Sequence, residues 1–349
     1  MNEPEVAQGS KRAASGRPVR CVLVGVGMMG VDHAAILAAS PSAELVACVD
    51  IDPAAAGRVP SRVPFMTSID EALAIPDLDA LFVCTPQAFH EDGVRRGLER
   101  GLHVFCEKPI AHSLASADAI IHLAERHPGR LAIGHMYRFD PRWMAIHEAV
   151  SNGRLGRLVH LSLRGYTPDF EGVMLAGRTT LANENAVHGL DLLRWLAGDL
   201  QRVYAEESRT GVAGAGLVDS IAVTIRFTSG AIGVVETDWA MPTDTGLGSE
   251  QHFSAVGSEG VAWIDLRDAG VGIFSRQAAP SFPRGIVYAD PAGGPQGIYR
   301  VEDEYFLALV RDGRPWPIAL SDARAALQAA LAVDRSIELE RPVRLDELT

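Results

Sequence analysis

The stretch that most constrains the fold is Gly25-Val26-Gly27-Met28-Met29-Gly30. It is entered from a short β-type run, Cys21-Val22-Leu23-Val24, and left into a helical run, Val31 to Ala39, with Ile36 and Leu37 on its apolar face. G-x-G-x-x-G between a strand and a helix is the loop that receives a dinucleotide pyrophosphate. Gly25 permits the tight turn. Gly27, followed by Met28 and Met29, lets the backbone approach the phosphates, and Gly30 lets the helix pack closely on the strand. The helix N-terminus then offers unpaired N–H groups to the charge. A second run, Glu44 to Val49, ends in Asp50. An acid at this tip accepts hydrogen bonds from adenosine ribose hydroxyls and repels a 2′-phosphate. Ile51, Asp52 and Pro53 follow, and the nearest cation is Arg58, so the pattern predicts NAD in preference to NADP. The competing reading of Asp50 is a turn-initiating Asp before Asp52-Pro53.

Strand and helix keep alternating. Ser68 to Ala74 reads as a helix, and Ala80 to Cys84 as a strand stopped by Thr85-Pro86. Phe89 to Arg100 is a helix closed by Gly101. Leu102 to Cys106 is a strand that runs into Glu107-Lys108-Pro109, and a helix over 113–127 precedes the strand Leu131 to Gly134. Such alternation predicts a parallel sheet covered on both faces. Thr85-Pro86 and Glu107-Lys108-Pro109 then share the edge of the glycine loop, where open α/β sheets bind ligands. Alone, the tripeptide reads as a solvated turn; on that edge Lys108 gains a cofactor to touch.

Past residue 135 the pattern changes. His135 to Pro141 is a loop leading into a helix over 141–151, followed by β-type runs at 157–165, 201–209, 218–228, 231–240, 252–257, 260–265 and 270–275. Short turns at Thr228-Ser229-Gly230 and Gly257-Ser258-Glu259-Gly260 predict hairpins and an antiparallel sheet. The expected domains are an arm over 1–18, a dinucleotide-binding domain over 19–135 and an α+β domain over 136–349. The last helix, about 321–339, is expected to pack back near the first domain. One helix interrupts the sheet, Asn185 to Ala197, with Glu184 at its start. Glu184 and His188 are spaced to share a helical face. A carboxylate there would fix the imidazole tautomer and suit a general base. The competing reading is a satisfied, partly buried histidine and a helix-start charge.

Composition excludes several classes. A chain of 349 residues accommodates two domains, and its net charge of −12 argues against a nucleic-acid surface. No apolar run approaches the ~20 residues that cross a bilayer. Met1 to Pro18 lacks an apolar core and reads as a disordered arm rather than a secretory signal. Cys21, Cys48, Cys84 and Cys106 lie in strand-like runs without Cys-x-x-Cys spacing. This predicts no metal, and buried thiols in a reducing cytoplasm.

Gly25-x-Gly27-x-x-Gly30, Thr85-Pro86 with His90, and Gly101-Leu-His-Val-Phe-Cys-Glu-Lys-Pro109 resemble the Gfo/Idh/MocA oxidoreductases. His188-Gly-Leu-Asp191-Leu-Leu-Arg-Trp-Leu196 fits the continuation of the family's Asp-x-x-x-His motif, with Glu184 in place of the Asp. The resemblance implies a Rossmann domain followed by an α+β domain with a large open, mostly antiparallel sheet. It implies that Lys108 approaches both nicotinamide and reacting hydroxyl, that Thr85, Pro86, His90 and Glu107 belong to the cofactor site, and that His188 is the base. Met136 and Tyr137 match a loop facing substrate, with Asp169 and Arg178 in the variable stretch before Glu184. The expected reaction is reversible oxidation of a secondary alcohol on a sugar or cyclic polyol, with hydride passing to nicotinamide C4. His188 takes the proton and Lys108 steadies the oxygen. The rival readings are a redox-neutral enzyme that retains NAD through transient oxidation and elimination or glycoside hydrolysis, and a non-catalytic dinucleotide-binding regulator. A homodimer or homotetramer through the open sheet is expected.

Overall fold

The computed structural model describes residues 16–211, 214, 216–241, 250–265, 270–275 and 297–348; most of the expected N-terminal arm lies outside the described residues. The chain divides into two compact units.

The first unit holds a parallel sheet of β1 (Val19–Val24), β2 (Ala43–Val49), β3 (Phe65–Met66), β4 (Ala80–Val83), β5 (His103–Glu107) and β6 (Leu131–Gly134). Their order is β3-β2-β1-β4-β5-β6, so strand order reverses between β1 and β4. That is where doubly wound sheets open a crevice. β4 and β6 are buried along their whole length because both faces of the sheet are covered, which explains their unbroken apolar runs. Helices α1 (Met28–Ala39), α2 (Ile69–Leu73), α3 (His90–Glu99) and α4 (Leu114–Glu125) follow the expected alternation. α1 begins three residues earlier than periodicity suggested, with Gly27 at its cap.

The second unit takes up Lys108–Ala115 and resumes at His135. It contains α5 (Pro141–Ser151), β7 (Leu158–Pro168), α6 (Asp169–Leu175) and α7 (Val187–Ala197). Strands β8 (Leu200–Ser208), β9 (Ser220–Phe227), β10 (Ile232–Met241), β11 (Glu250–Gly257), β12 (Gly260–Asp265) and β13 (Gly270–Ser275) follow. Every strand expected here is observed. Neighbours pair antiparallel except β7 and β10, which run parallel at the centre of the sheet. Burial alternates along β9 and β10, because one face packs on helices and the other does not.

Helix α8 (Ile298–Asp312), which sequence patterning did not place, returns to the first unit. Its Phe306 packs edge-on against Phe82 of β4 and Phe105 of β5, at 5.1 and 5.6 Å between ring centroids. The final helix, α9 (Leu320–Leu339), lies in the second unit, where Ala326, Ala330 and Val333 join Leu190 and Leu193 of α7 and Val203 of β8 in one core. Its alanine stripe permits that close approach to the sheet. A short β14 (Val343–Arg344) then pairs with β8.

Candidate active site

The glycine loop of the first unit has the shape its sequence requires. Gly25 has φ +93°, and a Cβ there would lie 2.5 Å from the Cys84 carbonyl oxygen. A Cβ on Gly30 would lie 1.9 Å from the Gly25 oxygen. A Cβ on Gly27 would meet nothing within 4 Å, so space opens over that residue. α1 starts directly behind it, without a side-chain cap and without an acid in its first turn. Its first N–H groups are therefore left for an anion. Met28 is exposed beside the loop and Met29 is partly buried. Asp50 is held at the tip of β2 by backbone donors: Val26 N–H at 2.8 Å and Asp52 N–H at 3.0 Å. The buried Thr85 hydroxyl has no partner among the described residues, and Pro86 is exposed. This arrangement fits a dinucleotide: the loop and α1 would hold its pyrophosphate, and Asp50 would face its ribose. Gly30→Ala should push α1 off the loop, at a cost of about 1–3 kcal/mol. Titration with NADH should show affinity falling by more than about tenfold, the factor for each 1.4 kcal/mol.

Two expected cofactor residues act from behind. His90 is buried, and its Nε2 lies 2.8 Å from the Thr85 carbonyl oxygen. It braces the Thr85-Pro86 turn. Glu107 is buried too, with its Oε1 2.8 Å from Nε2 of His33. The other ring nitrogen of His33 lies 2.8 and 3.0 Å from the two carboxylate oxygens of Asp303 on α8. Burial pushes the imidazole toward neutrality. Asp303 and Glu107 reverse that and hold it well above the ordinary histidine range, as an imidazolium between two carboxylates. Sequence reading missed His33. Its one signal was a polar residue on the apolar stripe of Ile36 and Leu37; its partner Asp303 lies 270 residues away.

In the second unit Lys108 and Glu184 meet. The Lys108 ammonium donates to Oε1 of Glu184 at 2.6 Å and to the Glu184 carbonyl at 3.1 Å. The Lys108 side chain is 8% exposed and that of Glu184 20%. Glu184 was expected to orient His188, but its carboxylate belongs to Lys108. The cause is local: residues Ala182–Ala186 form a π-helical turn before α7, which alters the four-residue register assumed from sequence. Asn185 donates to the Thr167 hydroxyl at 2.7 Å.

His188 opens α7 and is partly buried. Burial, the Lys108 charge and His135 push its imidazole well below the ordinary range, so it stands neutral. The Tyr137 ring meets it edge-on, 5.1 Å between centroids at 87°. Met136 lies one residue back on the same 3-10 turn, Met136–Phe139. Asp169 begins α6, a helix the polar, glycine-rich sequence had not suggested. Glu171 on that helix was missed: burial first, then the Glu184 charge, push its carboxyl up while Lys108 opposes them. Arg178 is exposed, and no described contact joins it to Lys108, Glu184 or His188. The four cysteines are buried and unpaired, and no helix among the described residues is long and apolar enough to cross a membrane.

Known proteins carry the same two parts. Residues 19–135 match the model of an oxidoreductase family with an NAD-binding Rossmann fold, and residues 143–263 match the GFO/IDH/MocA C-terminal domain. An inositol 2-dehydrogenase of Rhizobium meliloti (strain 1021) is 27% identical, over 94% of this chain and 99% of its own length. An inositol 2-dehydrogenase of Acidothermus cellulolyticus is 32% identical, over 71% of this chain and 73% of its own. The solved structure of GenD2 from gentamicin A biosynthesis, in complex with NAD, superposes with a TM-score of 0.77 at 27% identity, covering 98% of this chain and 99% of that one. Matched in both halves, the chain belongs to the Gfo/Idh/MocA family of NAD(P)-dependent oxidoreductases.

Proposed function

We propose that the enzyme oxidises a secondary hydroxyl of a cyclic polyol, or a sugar of similar shape, reversibly and with NAD as its preferred dinucleotide. The observation that carries this reading is the Lys108 ammonium, fixed by Glu184 at 2.6 Å, in a cluster with an imidazole that burial first, and then the Lys108 charge, keeps neutral.

A neutral His188 accepts the hydroxyl proton. The Lys108 ammonium is held by Glu184. Beside an alcohol oxygen its charge stabilises the negative charge that oxygen gains as the proton leaves. Glu184 keeps the ammonium from swinging away, which is preorganisation and not proton transfer. Bound in the glycine loop, the dinucleotide supplies the two-electron acceptor for the carbinol carbon. Tyr137 and Met136 border the substrate, with Asp169 and Glu171 as acceptors for further hydroxyls. An exposed Arg178 suits a more distant contact.

NAD is favoured because Asp50 is anchored with its carboxylate at the strand tip, where a 2′-phosphate would meet its charge. The GenD2 structure holds NAD. The open face of the eight-stranded sheet leaves Ile232, Val256 and Trp263 exposed, at 42, 41 and 36%. It suits pairing with a second copy, as a dimer or tetramer. Four unpaired buried thiols suit a reducing cytoplasm.

A panel of inositols and sugars, read by NADH absorbance, tests the reading. Turnover of a cyclic polyol, with kcat/KM for NAD more than about tenfold above that for NADP, is the expected result. One Asp–phosphate repulsion of ~1.4 kcal/mol suffices for that ratio. Release of a leaving group without net NADH would establish the redox-neutral alternative instead.

A further inference from the structure

The 3-10 turn that carries Tyr137 also carries Arg138, whose side chain is 3% exposed. Its guanidinium forks onto Asp191 of α7, Nε to Oδ2 at 2.8 Å and Nη2 to Oδ1 at 2.5 Å. Nη1 reaches Asp322 of α9 at 2.9 Å. Asp322 in turn accepts from Arg194 of α7 at 2.7 Å. The guanidinium carbon stands 5.3 Å from the Trp195 ring centroid, and Trp195 stacks on His147 of α5 at 4.0 Å. Asp191 lies three residues after His188, on the next helical turn, and Arg138 lies one residue after Tyr137. The fork therefore joins the two backbone segments whose side chains, Tyr137 and His188, meet edge-on. A buried charge of this kind is stabilising only when its geometry is filled, and here the two aspartates accept three of its N–H donors.

We propose that Arg138 is a positioning residue for this reaction: it pins the turn carrying Tyr137 to the helix carrying His188, and so keeps water off the imidazole. The inference rests on the reading of His188 as the base. The groups facing His188 are Lys108 and His135, both of which disfavour a charged imidazole, and the Tyr137 ring. Glu184 and Glu171 face Lys108 rather than His188. Arg138 is not among the charges that act on His188 directly; its partner Asp191 also lies 3.5 Å from Nδ1 of His135, so its influence runs through that shared aspartate and through packing. A lysine at 138 keeps the charge but cannot bridge Asp191 twice and Asp322 at once.

The test reads the His188 ring itself, by NMR titration of the full chain labelled at histidine, with the resonance assigned from its loss in His188→Asn. The wild-type midpoint is expected well below the ordinary 6.5 because the ring is buried beside Lys108 and His135. In Arg138→Lys it should rise by about half to one pH unit, as water reaches the ring. Tyr137→Ala should give a similar rise, and the double variant no more than either alone, because the two act in one chain. His103 in the first unit, lowered to about 4, is the control and should not move. Should Arg138→Lys not fold, Asp322→Asn removes one partner of the fork at a side chain that is 26% exposed, and should shift His188 the same way. An unmoved His188 in the folded variant overturns the inference, as does a double variant in which the shifts add. Undiminished turnover in His188→Asn overturns the base assignment separately, by a readout independent of the titration.

Discussion

Lys108→Met should lower kcat by about a hundred- to a thousandfold, the loss that follows removal of one preorganised donor to a developing oxyanion. The substitution preserves the unbranched stem and removes only the ammonium. The glycine loop, Asp50 and the Thr85 turn are untouched, so titration with NADH should give nearly the wild-type dissociation constant. A second effect distinguishes loss of charge from loss of shape. The Lys108 charge is one of the forces that depress His188. Without it the imidazole becomes easier to protonate, so the acid limb of kcat/KM should move to higher pH. A variant that is merely misfolded would lose NADH affinity and shift no limb. Near-normal turnover in Lys108→Met would remove Lys108 from the mechanism. Glu184→Gln should be milder: an amide oxygen still accepts from Lys108, but without charge.

His33→Leu should be the most destabilising single change in the first unit. Removing one member of a buried ion network costs about 3–5 kcal/mol, because the partners stay buried without compensation. Here two carboxylates, Glu107 and Asp303, would be left. The effect has a definite dependence on pH. The folded pKa of His33 is raised above its model-compound value of 6.5. Its contribution is therefore complete below pH 6.5 and is lost as pH rises through the higher folded value. Wild-type stability in urea should fall on the alkaline side, and His33→Leu should lack that part of the slope. Acid should partly rescue the variant, since burial raises the pKa of Asp303 and its protonation removes one uncompensated charge. Parallel urea curves for the two proteins across pH would show that the network carries no such linkage.

The parallel half of the fold was legible because its signals are local. A glycine motif, strand runs and caps each sit within a few residues, and the alternation dictates the sheet. The antiparallel strands were legible for the same reason, through alternation and short turns. What escaped depends on distance or on fine helical register. His33 and Asp303 are 270 residues apart, and the helix bearing Asp303 follows a stretch without clear periodicity. Lys108 and Glu184 were both expected at the site, yet their pairing across 76 residues was not. The expected Glu184–His188 pair assumed an α-helical four-residue step, and a π turn takes that step away. His90 and Glu107 were expected around the cofactor; that both are buried was not legible, because spacing reports sequence position and not burial.

The single parallel pairing in the second sheet also bears on how the chain reaches its fold. β8, β9 and β10 form one meander, and β11, β12 and β13 another, each closed by local antiparallel contacts. β7 alone bridges them, parallel to β10 on one side and antiparallel to β11 on the other. Neither of those seams can form until the chain between them has been gathered, and closing long loops comes before the contacts that reward it. β7 is thus the strand that joins the two meanders into one sheet. It is also the strand that leads straight into α6 and toward the turn of Glu184, so the cluster around Lys108 depends on long-range strand pairing and not on either meander alone.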